Sequence, residues 1–136
     1  MCGFVGCHPS NQPQLIEQAI QRITHRGPDE QGVTSTPMGT LGHTRLSIVD
    51  VADSHQPMSD GSRWIVFNGE IYNFQSLRKT LPAPWKTHGD TEVVLKLLAQ
   101  KGLSAITELD GMFAFAILDK GICLARDPLG IKDRKS

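Results

Sequence analysis

Charge of one sign, long apolar runs and a regular cysteine pattern are what this sequence lacks. Its 14 basic residues are matched by 14 acidic ones, so the formal net charge is zero. Without a basic excess there is no electrostatic footprint for nucleic acid or an anionic membrane surface, and neither is expected as a partner. No apolar run approaches the roughly 18 residues a membrane helix needs. The first residues hold neither a basic n-region nor a long h-region, which argues against a secretory signal peptide. Cysteine is scarce: Cys2, Cys7 and Cys123, an odd number at irregular spacing. That argues against a disulfide framework and fits a reducing compartment, so a cytoplasmic location is expected. Linkers, internal repeats and low-complexity tracts are absent, and no residue is assigned to a metal.

What is present is an ordinary globular composition, 39% hydrophobic and 21% charged, over 136 residues. That length is one domain, within the usual range of roughly 100–200 residues, and enough to bury a core. Cys2–Cys7 reads as a short apolar strand. Leu15, Ile16, Ala19, Ile20 and Ile23 recur at helical spacing, which predicts an amphipathic helix over Gln14–Thr24. Gln31–Ser35 and Thr40–Ser47 read as strands around a Pro37-Met38-Gly39 turn. Val51–Ser62 is polar and turn-rich. Trp64–Asn68 is a buried strand ending at Asn68-Gly69, a strong turn dipeptide, with Glu70–Asn73 as a second short strand. Phe74–Thr80 is a short helix stopped by Leu81-Pro82-Ala83-Pro84. A helix follows Gly89, capped by Asp90 or Thr91 and ended by Gly102. Leu103–Leu109 reads as another helix. Met112–Leu118 and Gly121–Ala125 form a hairpin around Asp119-Lys120-Gly121. Two sheets covered by helices are the natural packing for such a chain.

Four segments carry chemistry. Met1-Cys2 places a cysteine where removal of the initiator methionine would leave a thiol and a free α-amine on one residue. An unperturbed thiol ionises only at about 8.5, whereas an α-amine titrates at about 7.7–8.0 and can take the thiol proton near neutrality. Equally, Cys2 can be a small apolar residue opening a strand. In Gly42–Asp50, Arg45 interrupts a strand-like run. Its guanidinium suits bidentate recognition of a carboxylate, or a structural ion pair. In Phe67–Asn73, the Asn68 amide and the Gly69 N–H can serve as an oxyanion hole, or simply form a hairpin turn. In Gly89–Glu92, Asp90 can bind a substrate ammonium, cap a helix, or do both. Together these groups form a site for an amino acid bearing a side-chain amide, hydrolysed through a thioester.

Six segments in this order resemble the glutaminase domain of asparagine synthetase, a class II (N-terminal-nucleophile) glutamine amidotransferase. They are Met1–Gly6, His25-Arg26-Gly27-Pro28-Asp29, Gly42–Asp50, Asn68–Phe74, Asp90-Thr91-Glu92-Val93 and Leu109–Arg126. Arg26-Gly27-Pro28-Asp29, Arg45–Asp50 and Asn68–Asn73 together resemble the asparagine-synthetase branch, which also includes enzymes that amidate other carboxylates. The resemblance implies an α+β fold, a four-layer αββα sandwich of two mainly antiparallel sheets. It implies Cys2 as nucleophile and Asn68 with Gly69 as oxyanion hole. Glutamine binding falls on Arg45, the strand Leu46-Ser47-Ile48-Val49, Asn68, Gly69, Glu70 and Asp90. The expected domain is residues 1–136, a type 2 glutamine amidotransferase domain lacking its last strands. No serine- and glycine-rich ATP loop follows, so ATP and Mg are expected only in a synthetase domain absent from this sequence. The expected partners are glutamine and a synthetase domain or separate synthetase chain that accepts the ammonia, and a homodimer is left open. After Lys132 the sequence departs from the family, ending Asp133-Arg134-Lys135-Ser136. It therefore reads as a fragment, a truncated product or a chain that works with a partner. The alternative function is a module that binds glutamine or a partner without turnover.

Overall fold

Two antiparallel sheets lie face to face with helices outside them in a computed structural model that describes residues 2–47 and 54–132. The first sheet has strand order β1-β3-β2, from β1 (Gly3–Cys7), β2 (Glu30–Thr36) and β3 (Gly39–Arg45). The second has order β4-β5-β6-β7, from β4 (Met58–Ser59), β5 (Trp64–Ile71), β6 (Gly111–Leu118) and β7 (Ile122–Arg126). Helix α1 (Pro13–Arg22) covers the outer face of the first sheet, and α2 (Phe74–Thr80) and α3 (Asp90–Lys101) that of the second. This is the expected four-layer αββα sandwich.

Side-chain alternation along the strands explains the layering. In β5, Ile65, Phe67 and Ile71 point to the helices and pack with Leu77, Val93, Val94 and Leu97. Phe113 and Phe115 of β6 stack in the same cluster with ring centroids 5.7 Å apart. Trp64 and Val66 point the other way and meet Phe4 of β1 and Leu41 of β3 between the sheets. Residues 2, 43, 45, 68 and 70 share the parity of these inward residues, which decides where the site lies.

Most elements follow the sequence reading, with three corrections. Asn68-Gly69 is not a turn. β5 runs through it to Ile71, paired in unbroken register with β6 from Trp64↔Leu118 to Ile71↔Gly111, so Glu70–Asn73 is no separate strand. β3 ends at Arg45, so Leu46 and Ser47 continue outside the strand and are half-buried. Asp90 is the first residue of α3 rather than its cap, which is Gly89. The helix expected after Gly102 is present as a 3-10 helix over Leu103–Glu108. The two-residue strand β4 lies inside the stretch read as polar and turn-rich, and is too short to show a period. Among the described residues no helix is long and apolar enough to cross a membrane.

His43 gives the fold a pH dependence. The ring is 1% exposed between the sheets, and its Nε2 lies 3.1 Å from the Phe67 carbonyl. Burial pushes its pKa from 6.5 down to about 4, while the Phe67 carbonyl and Glu30 pull it up and Arg45 pushes it down. The ring is therefore neutral at pH 7 and donates to Phe67. Unfolded chains bind a proton near 6.5 and folded chains only near 4, so stability falls as pH drops through that window. Between pH 7 and 5 this one group should remove about 2 kcal/mol, and about 3 kcal/mol by pH 4. Urea unfolding across that range measures it. His43→Gln, which can still donate to Phe67, should flatten the slope above pH 5. An unchanged slope would rule His43 out as its source.

Candidate functional site

The inward-facing residues converge at one end of the sandwich. Antiparallel pairing of β1 with β3 sets Gly3 opposite Thr44, so Cys2 lies beside the end of β3. There the Leu46 N–H donates to the Cys2 Sγ at 3.4 Å. His43 then ties β3 to β5 at Phe67, one residue before Asn68. The loop after α1 closes the same end. Pro28 bridges to Arg45, the Asp29 N–H donates to the Arg45 carbonyl at 3.1 Å, and the Asp29 carboxylate accepts the Ser47 N–H at 2.8 Å. The motif Arg26-Gly27-Pro28-Asp29 thus supports the turn out of β3.

Arg45 realises one of its two alternatives directly. Its Nη1 lies 3.2 Å from Glu30 Oε2, opposite it in the β2–β3 register, and the guanidinium is buried. The other Glu30 oxygen meets His55 Nδ1 at 2.5 Å. Burial works to raise the Glu30 carboxyl, but the hydrogen bonds from His55 and Arg45 outweigh it and hold it below the ordinary value. Sequence reasoning missed Glu30, whose only signal is its place directly after the Arg26–Asp29 motif.

The edge of β5 is the most informative feature. The Tyr72 N–H donates to the Asp110 carbonyl, so even-numbered residues of β5 bond to β6 and odd-numbered ones face the opposite edge. Ile65 pairs there with Met58 of β4. Beyond Met58 no strand continues the edge among the described residues, and side chains take over. Gln56 Oε1 accepts the Phe67 N–H at 2.6 Å, and Asp90 Oδ2 accepts the Ile71 N–H at 2.9 Å. Between them the Gly69 N–H meets no acceptor among the described residues. The adjacent Asn68 side chain is 7% exposed and likewise makes no hydrogen bond among them. Two adjacent donors are thus left unpartnered on a strand whose neighbouring edge N–H groups, at Phe67 and Ile71, are met. Gly69 is half-buried and no Asn68 side-chain atom is among the fully enclosed unpartnered ones, so both donors are open to meet a ligand.

Asp90 stands beside this gap. Burial raises its carboxyl above the ordinary value, its N–H partners Ile71, Asp90 and Thr91 pull it back, and the charge of Glu70 raises it again. Glu70 is itself exposed. The structure thus gathers Cys2, Arg45, Leu46, Ser47, Asn68, Gly69, Glu70 and Asp90 at one end; Ile48 and Val49 lie outside the described residues. Sequence reasoning also missed Gln56, which sits in a segment that reads only as loop. A cavity of about 420 Å³ lies elsewhere, against α3, and none of Cys2, Arg45, Asn68, Gly69 or Asp90 lines it. Among the described residues no three His, Cys, Asp or Glu side chains converge as a metal site would require.

Comparison with known proteins supplies the family. The pattern of the glutamine amidotransferase domain family matches residues 1–133. Asparagine synthetase [glutamine-hydrolyzing] 1 of Bacillus subtilis is 45% identical over 97% of this chain and 23% of its own length. The corresponding protein of Sandersonia aurantiaca is 37% identical over 96% of this chain and 27% of its own. The chain therefore spans about a quarter of the length of these curated relatives. Among solved structures, the glutamine phosphoribosylpyrophosphate amidotransferase of B. subtilis superposes with a TM-score of 0.74 at 20% identity. That likeness covers 96% of this chain and 38% of the other, and speaks for the fold alone. From the residues matched and the fold shared, the chain belongs to the glutamine amidotransferase domain family.

Proposed function

We propose that this chain hydrolyses the side-chain amide of glutamine to glutamate and ammonia through a Cys2 thioester. That is the ammonia-supplying half of asparagine synthesis from aspartate. The observation that carries the reading is the pair of unpartnered donors, Asn68 and Gly69, at the end of the sandwich that holds the Cys2 thiol. Once Met1 is removed, the α-amine of Cys2 takes the thiol proton and the thiolate attacks the amide carbon. The carbonyl oxygen becomes an oxyanion held by the Asn68 amide and the Gly69 N–H. The C–N bond then breaks, and the α-ammonium returns its proton to the leaving ammonia. Water adds to the thioester with the amine as base, releasing glutamate and restoring the thiol. Arg45 takes the substrate α-carboxylate while keeping its Glu30 partner, and Asp90, with Glu70 nearby, takes the α-ammonium. ATP and Mg belong to the synthetase half, whether it continues this chain or stands apart, and that half accepts the ammonia. The relatives' names support asparagine as the product over another amide.

Intact mass before and after incubation with an electrophilic glutamine analogue, alongside glutamate release from glutamine, tests the reading. Loss of Met1, a single adduct and glutamate release are the expected results. A chain that has lost Met1 yet takes no adduct and releases no glutamate would overturn it, and point to a glutamine- or partner-binding module without turnover.

A further inference from the structure

We infer that Gln56 is a positioning residue for the oxyanion pair, standing in for the strand that β5 lacks beside Asn68 and Gly69. The inference rests on the glutaminase reading of those two residues. The edge of β5 presents its N–H groups at Ile65, Phe67, Gly69 and Ile71. β4 pairs Met58 with Ile65 and Ser59 with Trp64, so it reaches no further toward Gly69 than Ile65. If β4 ran alongside the rest of β5, a backbone carbonyl would take the Gly69 N–H and leave nothing for an oxyanion. If nothing replaced it, the edge would be free to move and would expose a buried Phe67 N–H. Gln56 resolves this conflict. Its Oε1 accepts the Phe67 N–H at 2.6 Å, the shortest of the bonds to this edge, and its Nε2 donates to Thr91 Oγ1 at 3.4 Å. Its own carbonyl lies over Gly32 of β2. The buried side chain therefore ties β5 to the first turn of α3, which carries Asp90, while the Gln56 backbone lies against β2.

The geometry also says which kinetic constant should respond. Phe67 is fixed twice, by Gln56 at its N–H and by His43 at its carbonyl, and that carbonyl belongs to the peptide leading into Asn68. Loosening it moves the Asn68 amide and the Gly69 N–H, which act on the transition state. Glutamine itself is held by Arg45 and Asp90, which keep their other partners Glu30 and Ile71. An oxyanion hole shifted by a fraction of an ångström costs rate rather than affinity.

The test uses the whole chain with Gln56→Leu, which removes the acceptor, and Gln56→Glu, which keeps one for Phe67. In Gln56→Leu kcat for glutamine hydrolysis should fall on the order of tenfold to a hundredfold with KM changed less than about threefold. Gln56→Glu should recover most of that loss. Amide resonances give a second readout that needs no activity. In Gln56→Leu the Phe67 amide proton should exchange faster and the Gly69 amide shift, while amides of β1 and β2 stay in place. If Gln56→Leu does not fold, the Gln56→Glu spectrum decides, because an undisturbed Phe67 amide requires the retained acceptor. A native Phe67 exchange rate and native kcat in Gln56→Leu would overturn the inference. So would a loss in KM alone. An unmodified chain without glutaminase activity would instead overturn the function, while the exchange data still judged the role of Gln56.

Discussion

Replacing Cys2 by alanine is expected to abolish glutamine hydrolysis while leaving the fold and glutamine binding in place. The thiol does little structural work. Its Sγ makes only weak contact with the Leu46 backbone, accepting the N–H at 3.4 Å and donating to the carbonyl at 3.8 Å, and the residue is only half-buried. Losing that contact should cost no more than about 1 kcal/mol. In the proposed scheme the substrate contacts lie on other residues, Arg45 and Asp90, so the dissociation constant for glutamine should stay within a few-fold. Turnover should fall by at least about 10⁴-fold, because the alternative is direct attack by water with only the oxyanion hole to help. The other two cysteines cannot replace it. Cys7 lies at the far end of β1, where its Sγ donates to the Ser10 carbonyl, and burial pushes the Cys123 thiol up, away from thiolate formation. Cys7→Ala should therefore keep full activity. Ammonia release measured with a coupled dehydrogenase, and glutamine binding by calorimetry, check both halves. Retained release in Cys2→Ala would sink the thioester scheme.

Cys2, Arg45 and Asp90 stand out as candidates from the sequence alone, and Gln56 and Glu30 do not, for a physical reason. A nucleophile beside an amine, or an arginine inside an apolar run, is unusual for its own position and needs no tertiary context. Apolar periodicity likewise exposed α1 and the β6–β7 hairpin, and the chain of short strands and covering helices implied two sheets. Gln56 and Glu30 are ordinary polar residues whose meaning lies in what they meet, Phe67 and Arg45, far along the chain. The error at Asn68-Gly69 is more instructive. The dipeptide signals a turn because glycine tolerates positive φ, and Gly69 does have φ +150°. The local signal was correct and its context was not. The positive φ serves a close approach to β6 inside a continuous strand, and the long-range pairing with Met112 and Phe113 decides the outcome.

That close approach makes Gly69→Ala the most damaging single-carbon change to expect at the site. A Cβ on Gly69 would lie 2.1 Å from the Met112 carbonyl oxygen and 2.6 Å from Phe113 Cα. Both are backbone atoms of a central strand, so neither can swing aside as a side chain would. Two costs add: an L side chain at strongly positive φ, about 1–3 kcal/mol, and forced displacement of packed neighbours, about 1–3 kcal/mol. Gly61 separates them. It has φ +99° but nothing within 4 Å of an added Cβ, so Gly61→Ala carries the backbone strain alone. Gly69→Ala should lose about 4 kcal/mol and lower Tm by about 10 °C or more, and Gly61→Ala by less than half of that. Activity should separate the two further. Whatever fraction of Gly69→Ala stays folded has β5 pushed off β6 at the residue whose N–H is proposed to meet the oxyanion. Its kcat per folded molecule should then fall by about 10²-fold or more, while Gly61→Ala keeps the parent rate. Equal Tm losses in the two variants would mean that β5 and β6 do not approach so closely at Gly69. A Gly69→Ala protein with normal turnover would remove its N–H from the reaction and leave Asn68 to hold the oxyanion alone.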